Sequence, residues 1–362
     1  MINVIHMLHL YIYIYTTRRV LFLSLLVLTW LLCGVLGYHV WYLRMVKPFS
    51  DFTYPTEADF VTLYANFKEN GMLPTEIKPI NTHPFHYIYL KQKCDFKSDK
   101  TVSLLILVKS SVGNFHLREG IRETWGKTNG ENIEIVYLLG YRPEHQPKVD
   151  QEAGLRGDII QESFIEAYSN NTYKTIMGFN WAIEYCHKAN YIMFADDDHY
   201  LVLPNILIYI NKLYRSNNAN LIVGFAYFHE KPHRYTSSKW YVTIEEYQYD
   251  KYPPYLTAGA YLVSREVADK LVFSFPYVKH IWIDDIYISI VSLKLGIYPQ
   301  HEPRFNQPSY LLHTETRNMV YHDFKTKEAF INVQKFLRGF PTDSPSSKMC
   351  RYSWKCLASI LL

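Results

Sequence analysis

The chain has 362 residues and a net charge of +4. This mildly basic balance, without a basic stripe, excludes the electrostatic footprint of a nucleic-acid-binding protein, so no nucleic-acid partner is expected. The 32 tyrosines and the aromatic content of 16% allow a large core with many stacking surfaces, and they exclude a disordered chain.

An apolar segment near the N-terminus predicts a membrane anchor. Residues 20–43 carry no formal charge and are mostly Leu, Val, Phe and Trp. This segment is long enough to cross a bilayer as a helix. Two arginines precede this segment, and Arg44 and Lys47 follow it, so the charge comparison is nearly balanced. We expect an uncleaved signal anchor with a cytoplasmic tail over 1–19 and a lumenal remainder. A cleaved signal peptide and a buried core helix are the alternatives.

The cysteines and one sequon are compatible with a secretory lumen. Cys33 lies in the apolar segment, and an even number of cysteines remains, at Cys94, Cys186, Cys350 and Cys356. Two disulfides are compatible with this number, but the sequence does not decide their pairing. Asn170 begins the triplet Asn-Asn-Thr, a glycosylation sequon that is used only in a secretory lumen.

The segment after the anchor predicts a stem, and the globular part is expected from residue 101. Five prolines between residues 44 and 100, without sustained periodicity, are typical of a spacer. The apolar run Val102–Val108 suits a strand that is buried on both faces. We expect a stem over 44–100, a globular domain over 101–340 and a loose tail over 341–362.

The rest of the chain alternates predicted strands with predicted helices, which indicates a mostly parallel sheet covered on both faces. The first half continues with a helix, a strand, a helix, a strand, a helix and a strand: Asn114–Trp125, Ile133–Leu138, Tyr173–Ala189, Tyr191–Ala195, a helix from Pro204, and Leu221–Phe228. The less regular second half predicts two short strands, a helix that Ser264 caps, and a last helix: Lys239–Val242, Tyr261–Val263, a helix to Phe273, and Asp284–Leu295.

Three adjacent aspartates end the strand Tyr191–Ala195, and they are the most informative feature of the sequence. The carboxylates of Asp196, Asp197 and Asp198 repel one another unless a cation or a set of donors neutralises them. Ligands of open α/β sheets bind outside the carboxyl ends of strands. The pattern therefore predicts a hard divalent metal that bridges carboxylates and ligand phosphates. A solvated acidic turn is the alternative.

Several basic and acidic residues of the first half are candidates for binding an anionic ligand. Arg118 and Arg122 are four residues apart and share a helix face, where they would hold a diphosphate or pair with neighbouring glutamates. Asp158 precedes two isoleucines and is either a functional carboxylate or a turn residue. Lys174, near a helix start, is either a phosphate contact or an ordinary surface lysine.

The second half offers an aromatic surface for a sugar. Tyr255 ends the stiff sequence Tyr-Pro-Pro-Tyr, and Gly259 follows among small residues that permit close backbone approach. A structural turn is the alternative for both. Trp240 is either a contact for a sugar acceptor or a packing residue.

Two further carboxylates and a histidine complete the candidates. Asp284 and Asp285 open a predicted helix, so one of them is a candidate catalytic base, while first-turn stabilisation is the alternative. His313 follows a short apolar strand, and it is either a metal ligand or a structural histidine.

These motifs together resemble the β1,3-glycosyltransferases, the group of the β1,3-galactosyltransferases and β1,3-N-acetylglucosaminyltransferases. They keep the family's order over about residues 110–315. The matching blocks are Arg118-x-x-Ile121-Arg122-x-Thr124-Trp125-Gly126, Asp158-Ile159-Ile160 with Lys174-Thr175, Asp196-Asp197-Asp198, Lys239-Trp240-Tyr241, Tyr252-Pro253-x-Tyr255 with Gly259-x-Tyr261, and Asp284-Asp285-Ile286-Tyr287, in which Asp284 replaces the usual glutamate.

The resemblance implies a fold, a reaction and a location. The implied fold is α/β and GT-A-like, a mostly parallel sheet flanked by helices, here with an N-terminal transmembrane anchor. The implied reaction is an inverting transfer from a UDP-sugar to a glycan on a glycoprotein or glycolipid, which forms a β1,3 linkage. Galactose is the favoured sugar, and N-acetylhexosamines stay open. The implied location is the Golgi membrane, as a single-pass type II protein.

The resemblance also implies roles for the candidates. Asp198 and His313 would hold Mn²⁺ or another divalent cation, and Asp285 would take the proton of the acceptor hydroxyl. The donor would be bound by Arg118, Arg122, Asp158, Lys174, Asp196 and Asp197. The acceptor would be bound by Trp240, Tyr255, Gly259 and Asp284.

Two other classes of function remain open from the sequence. One is a catalytically inactive relative that binds glycans or assists a partner enzyme. The other is a membrane-bound, metal-dependent hydrolase of phosphate esters, which would need a second metal site of histidines and aspartates.

Overall fold

The computed structural model describes residues 2–54, 56–75, 77–96, 102–128, 132–216, 219–309 and 317–338. The chain divides into two compact units. The first contains the residues up to Phe52 together with Lys231–Lys251, and the second contains Thr53–Glu230 together with the residues from Tyr252 onward.

The first unit begins with a long apolar helix. Helix α1 spans Ile2–Met45, and its segment Tyr15–Tyr42 is long and apolar enough to cross a membrane and is not buried by protein. This confirms the predicted N-terminal apolar helix. The strand predicted at Lys239–Val242 is wrong: these residues form turns, with an isolated bridge between His233 and Tyr241.

The second unit contains the remaining helices and the strands. Its helices are α2 (Phe60–Asn70), α3 (Phe115–Glu123), α4 (Gln146–Arg156), α5 (Asn171–Tyr185), α6 (Leu203–Arg215), α7 (Arg265–Ser274), α8 (Asp284–Lys294) and α9 (Lys327–Arg338). Its strands are β1 (Tyr87–Tyr89), β2 (Leu104–Lys109), β3 (Ile133–Tyr141), β4 (Ile159–Ile165), β5 (Tyr191–Asp196), β6 (Tyr200–Leu201), β7 (Ile222–Tyr227), β8 (Tyr255–Ser264), β9 (Gln300–His301), β10 (Gln307–Pro308) and β11 (Val320–His322).

The main sheet has the order β1-β4-β3-β2-β5-β8-β7-β9. Strands β4, β3, β2 and β5 are parallel, whereas β8 runs antiparallel to both β5 and β7. A smaller sheet has the order β10-β11-β6. The prediction of a mostly parallel sheet is confirmed, and β2 and β5 end side by side at one edge.

Helices cover both faces of this sheet. Alternate residues of β2, among them Ile106, join a core cluster with Ile121 of α3 and Phe330 of α9. On the opposite face, a side chain at Gly178 of α5 would meet Leu107 of β2 at 3.2 Å. A strand between two helical layers is apolar at every position, which explains its unbroken apolar sequence.

Part of the segment 44–100, which was predicted as a stem, belongs to the second unit. Helix α2 packs against α7, and β1 pairs with β4. A disulfide joins Cys94 to Cys186 just beyond α5, which assigns one pair that the sequence left open. Cys350, Cys356 and the predicted tail lie outside the described residues.

Helix α4 and strand β4 were not predicted. The sequence of β4 does not have the apolar pattern of a buried strand, because it contains the polar residues Gln161 and Glu162. Both are nevertheless buried. The side chain of Gln161 donates to the carbonyl of Gly140 at 2.7 Å, and Glu162 contacts His83 at 2.7 Å. These partners satisfy the polar groups, which is why a strand with such residues is stable inside the protein.

Candidate active site

A cavity of about 480 Å³ opens at the edge where β2 and β5 end. This volume is within the usual range of ligand pockets, about 300–1,000 Å³. The lining comes from β2 and its loop, from the aspartate triplet, and from the segments around α4 and α5: Lys109, Ser110, Ser111, Val112, Asn114, Arg142, His145, Glu166, Ala167, Tyr168, Asn171, Lys174, Asp196, Asp197 and Asp198. The position agrees with the ligand site expected at the carboxyl ends of parallel strands.

The three aspartates have different environments. Asp197 is buried, and its Oδ2 accepts from Ser110 Oγ at 2.6 Å and from Asn114 Nδ2 at 2.9 Å, so it fixes the loop after β2. Asp196 and Asp198 keep 38% and 27% of their side chains exposed. The two outer aspartates of the triplet are therefore the ones open to a ligand.

Asp196, Asp198 and His199 form a group that can hold a cation. One ligand atom from each lies within 4.8 Å of the other two. Carboxylate oxygens with one imidazole suit divalent cations such as Mn²⁺, so the donor set fits the implied metal. Burial disfavours the charge of Asp198, but hydrogen bonds and attraction from His199 and Lys325 outweigh it and hold the pKa of this carboxyl below its usual range.

His199 is a functional candidate that the sequence reasoning missed. Its Nδ1 lies 2.7 Å from Asp198 Oδ1, and its ring is buried. A Cβ atom at Gly259 would lie 2.5 Å from His199 Nε2, so only glycine leaves room for the imidazole. The signal in the sequence was a histidine directly after the triplet. Gly259 was predicted to contact the acceptor, and the structure places it against this ring.

Gly259→Ala is expected to displace His199 and to weaken Mn²⁺ binding about 10–100-fold, the usual effect of substituting a residue that positions a metal ligand. Electron paramagnetic resonance titration of the purified chain with Mn²⁺ measures this effect. The matched control is Gly154→Ala in α4, where an added Cβ meets nothing within 4 Å. Equal Mn²⁺ affinity in both variants would remove His199 from the cation site.

Lys109 is a second residue that the sequence reasoning missed. Its Cα is in register with that of Asp196, and its Nζ lies 3.2 Å from Asp196 Oδ1 and 2.8 Å from Asp284 Oδ2. Burial disfavours the ammonium, but the two carboxylates outweigh it and raise the pKa of Lys109. One buried cation thus joins the aspartate triplet to the start of α8. The signal was a charged residue directly after an apolar strand, the same pattern that marks Asp196.

Asp284 and Asp285 point into different surroundings at the start of α8. Asp284 is buried, and its Oδ2, which Lys109 contacts, also accepts from Thr175 Oγ1 at 2.9 Å, so this oxygen is engaged within the protein. Asp284 does not line the cavity. Its environment favours a role inside the protein over a direct contact with the acceptor. Burial disfavours the charge of Asp284, but Lys109 and the hydrogen bond from Thr175 outweigh burial and hold the pKa of Asp284 below its usual range.

Asp285 is half-buried and has the electrostatics of a base that works near neutral pH. Its Oδ1 accepts from the amide of Ile286 at 2.8 Å, and the amide of Ala258 on β8 also donates to the carboxylate. Removal from water and the adjacent charge of Asp284 raise the pKa of Asp285 to about 7. Tyr255 and Asp285 line one small apolar cavity, so the structure brings this predicted acceptor residue beside the predicted base.

The structure does not bring Arg118, Arg122 and Asp158 to the cavity lining. Arg118 is fully buried and donates to Glu152 Oε2 at 2.6 Å and to the carbonyl of Ser111 at 2.7 Å. Arg122 donates to Glu152 Oε1 at 2.6 Å and to Asp158 Oδ2 at 2.8 Å. This internal network holds the loop after β2 through the bond from Arg118 to Ser111. Glu152, its centre, lies on the helix that the sequence did not reveal.

Lys174 does line the cavity. Its buried ammonium donates to the carbonyl of Ser110 at 2.6 Å and to Glu166 Oε1 at 2.7 Å. Asn170, at the start of α5, is half-buried and donates to the carbonyl of Ile165 at 2.7 Å. Trp240 belongs to the first unit, where it is 42% exposed. His313 lies outside the described residues.

Comparisons with known proteins assign the chain to a family. The galactosyltransferase family model matches residues 116–303. The chain is 37% identical to "Beta-1,3-galactosyltransferase brn" of Drosophila melanogaster, over 59% of this chain and 67% of that protein. It is 32% identical to "Lactosylceramide 1,3-N-acetyl-beta-D-glucosaminyltransferase A" of Danio rerio, over 66% of this chain and 65% of that protein. It is 30% identical to "Beta-1,3-galactosyltransferase 1" of Homo sapiens, over 80% of this chain and 89% of that protein.

Solved structures give a weaker likeness. A glycosyltransferase involved in glycosylation of the major capsid of PBCV-1 is 14% identical, with a TM-score of 0.36 over 65% of this chain and 100% of that chain. The fold, a mixed and mostly parallel sheet with flanking helices, is the GT-A-like arrangement that the resemblance implied. Together, the family match and the sequence relatives establish that the chain belongs to the galactosyltransferase family of β1,3-glycosyltransferases.

Proposed function

We propose that this chain is an inverting, metal-dependent enzyme that transfers a hexose or N-acetylhexosamine from a UDP-sugar to a glycan, forming a β1,3 linkage. Galactose is the favoured sugar, because two of the relatives above are named galactosyltransferases. The observation that carries the proposal is the contact of Lys109 with both Asp196 and Asp284. Through this contact the candidate metal segment and the candidate base segment meet at one edge of the sheet.

The cation would be held by Asp196, Asp198 and His199, with His313 as the ligand implied by the resemblance. When bound, a divalent cation neutralises the negative charge that develops on the leaving diphosphate. Lys174 and the loop of Ser110 would shape the wall against which the donor lies. Arg118, Arg122, Asp158 and Asp197 would act on the donor indirectly, because they hold that loop in place.

Asp285 would act as the general base. It takes the proton of the acceptor hydroxyl as the oxygen attacks the anomeric carbon, and the bond between that carbon and the diphosphate breaks. A single displacement inverts the configuration and needs no carboxylate nucleophile, unlike the double displacement of retaining glycosidases. Tyr255 would hold the acceptor beside the base, and Asp284 would position Asp285. Trp240 remains a proposed acceptor contact.

The apolar helix α1 supports the proposed topology. Residues 1–19 would be the cytoplasmic tail, 20–43 the membrane anchor and the remainder lumenal, as in a single-pass type II Golgi protein. The Cys94–Cys186 disulfide supports an oxidising lumen. The glycan acceptor would then be carried by a glycoprotein or a glycolipid, and Asn170 would be available to glycosylation during synthesis.

The pH dependence of transfer tests the base. Asp285 must be ionised to accept a proton, and its pKa is raised to about 7, so kcat/KM should fall as the pH drops below about 7 and level off above it. Asp284→Asn removes the adjacent charge, so the fall in kcat/KM on the acidic side, the acidic limb, should move to lower pH. Other titratable groups that interact electrostatically with Asp285 include Lys109, Tyr227, Tyr255 and Tyr261. A limb that stays in place in the variant would exclude Asp285 as its origin.

A substrate screen separates this function from its alternatives. The purified full chain with Mn²⁺ is offered UDP-galactose, UDP-N-acetylgalactosamine and UDP-N-acetylglucosamine, with simple glycosides as acceptors. Transfer of one sugar with inverted configuration is expected. Binding of UDP and glycan without transfer or donor hydrolysis would favour an inactive relative. Hydrolysis of phosphate monoesters would favour the hydrolase, although the described residues hold no second group of metal ligands.

A further inference from the structure

Both oxygens of the Asp198 carboxylate are engaged by side chains of very different exposure. His199 contacts Oδ1, and its side chain is 8% exposed and confined by Gly259. Lys325 Nζ lies 2.8 Å from Oδ2, and its side chain is 68% exposed. A divalent cation that takes an Asp198 oxygen therefore displaces Lys325 far more easily than His199.

The backbone of Lys325 is anchored, whereas its side chain is mostly exposed. The amide of the preceding residue, Phe324, donates to the carbonyl of Asp198 at 3.0 Å. His116 Nε2 lies 3.2 Å from the carbonyl of Lys325. The ammonium is carried on a flexible four-carbon stem from this anchored position, and Asp323 Oδ1, 3.8 Å away, offers it a second carboxylate. Movement of Lys325 needs only side-chain rotation.

We propose that Lys325 exchanges partners: it pairs with Asp198 until a divalent cation binds there, and then pairs with the diphosphate of the donor. The inference rests on the proposed function and adds a residue to it. An ammonium and a metal ion compete for the same carboxylate oxygen and repel each other. A diphosphate at the cation attracts the released ammonium, and lysine is a common phosphate contact. Asp198 lines the cavity, so the ammonium starts at its margin.

The exchange predicts effects of opposite sign on two ligands. Lys325→Met removes a competitor for Asp198, so Mn²⁺ alone should bind about two- to fivefold more tightly, the effect of losing one exposed ion pair. The same variant loses a charged contact to phosphate, so UDP at saturating Mn²⁺ should bind about tenfold more weakly. Uridine, which has no phosphate, should bind unchanged.

The experiment uses the full chain in detergent. Electron paramagnetic resonance measures Mn²⁺ binding without nucleotide, and calorimetry measures UDP and uridine binding at saturating Mn²⁺. Lys327→Met is the matched control, because it removes the same charge two residues away, where Lys327 pairs with Glu123 at 2.6 Å. Lys325→Arg keeps the charge. Both variants should stay within about twofold of the wild type for each ligand, which is less than the loss of a charged contact.

The outcomes separate the inference from the proposed function. Tighter Mn²⁺ together with weaker UDP in Lys325→Met supports the exchange. Unchanged affinities, weaker binding of both ligands, or the same pattern in Lys327→Met would overturn it while leaving the proposed function intact. A wild-type chain that binds neither Mn²⁺ nor UDP would overturn the proposed function itself, and the exchange with it.

Discussion

Asp285→Asn is expected to lower kcat by about 10²–10⁴-fold, the usual contribution of a general base. The amide has the size of the carboxylate and can still accept from Ile286 N, so the start of α8 should keep its structure. It cannot accept a proton from the acceptor hydroxyl. The affinity for UDP with Mn²⁺ should stay near the wild-type value, because the residues proposed to bind the UDP-sugar lie on other elements. Single-turnover transfer and UDP calorimetry measure the two effects separately.

The control for Asp285→Asn is an equivalent change at another helix start. Glu328 is an exposed acid in the first turn of α9, and Glu328→Gln also replaces a carboxylate by an amide. This variant should keep full turnover. If Asp285→Asn transfers sugar as fast as Glu328→Gln, the base is another residue. The Asp284–Asp285 pair would then only stabilise the first turn of α8.

Asp198→Asn is expected to abolish specific Mn²⁺ binding and to lower transfer by about 10²–10³-fold or more, the loss typical when a group that stabilises transition-state charge is removed. The amide keeps one neutral oxygen, which is a much weaker ligand for a hard cation. Exhaustive chelation of the wild type should produce a comparable loss, and added Mn²⁺ should restore the wild type but not the variant.

A matched aspartate away from the site provides the control for Asp198→Asn. Asp269 lies on α7, where it pairs with Arg265 at 3.3 Å. Asp269→Asn should keep both Mn²⁺ affinity and activity. Full activity of the chelated wild type, or normal Mn²⁺ binding by Asp198→Asn, would contradict the metal role of the aspartate triplet.

The sequence predicted those parts of the fold and site that depend on local pattern. An apolar run that ends in charge marks the carboxyl end of a buried strand, so β5 and its aspartates were found. Ser264 was predicted to cap a helix, and it does accept from the amide of Val267. Strand β8 was predicted as Tyr261–Val263 and is longer, because its first half contains the proline-flanked and small residues of a site wall.

Features that depend on partners distant in sequence were missed. Lys109 acquires its role from Asp196 and Asp284, which lie 87 and 175 residues further along the chain. Arg118 and Arg122 were assigned to the donor because a helix face is visible in the sequence, whereas Glu152 on α4 is not. His199 needs Gly259 opposite it, and only the pairing of β5 with β8 brings them together.

The proposed mechanism requires that a cation at the aspartate triplet and the base Asp285 act on one donor in one site. An experimental structure of the full chain with Mn²⁺ and UDP tests this most directly. We expect Mn²⁺ on Asp198, the diphosphate in the cavity of about 480 Å³, and Lys109 still joining Asp196 to Asp284. Mn²⁺ and UDP bound away from the triplet, or an Asp285 carboxylate turned away from the diphosphate into the protein, would rule out this mechanism.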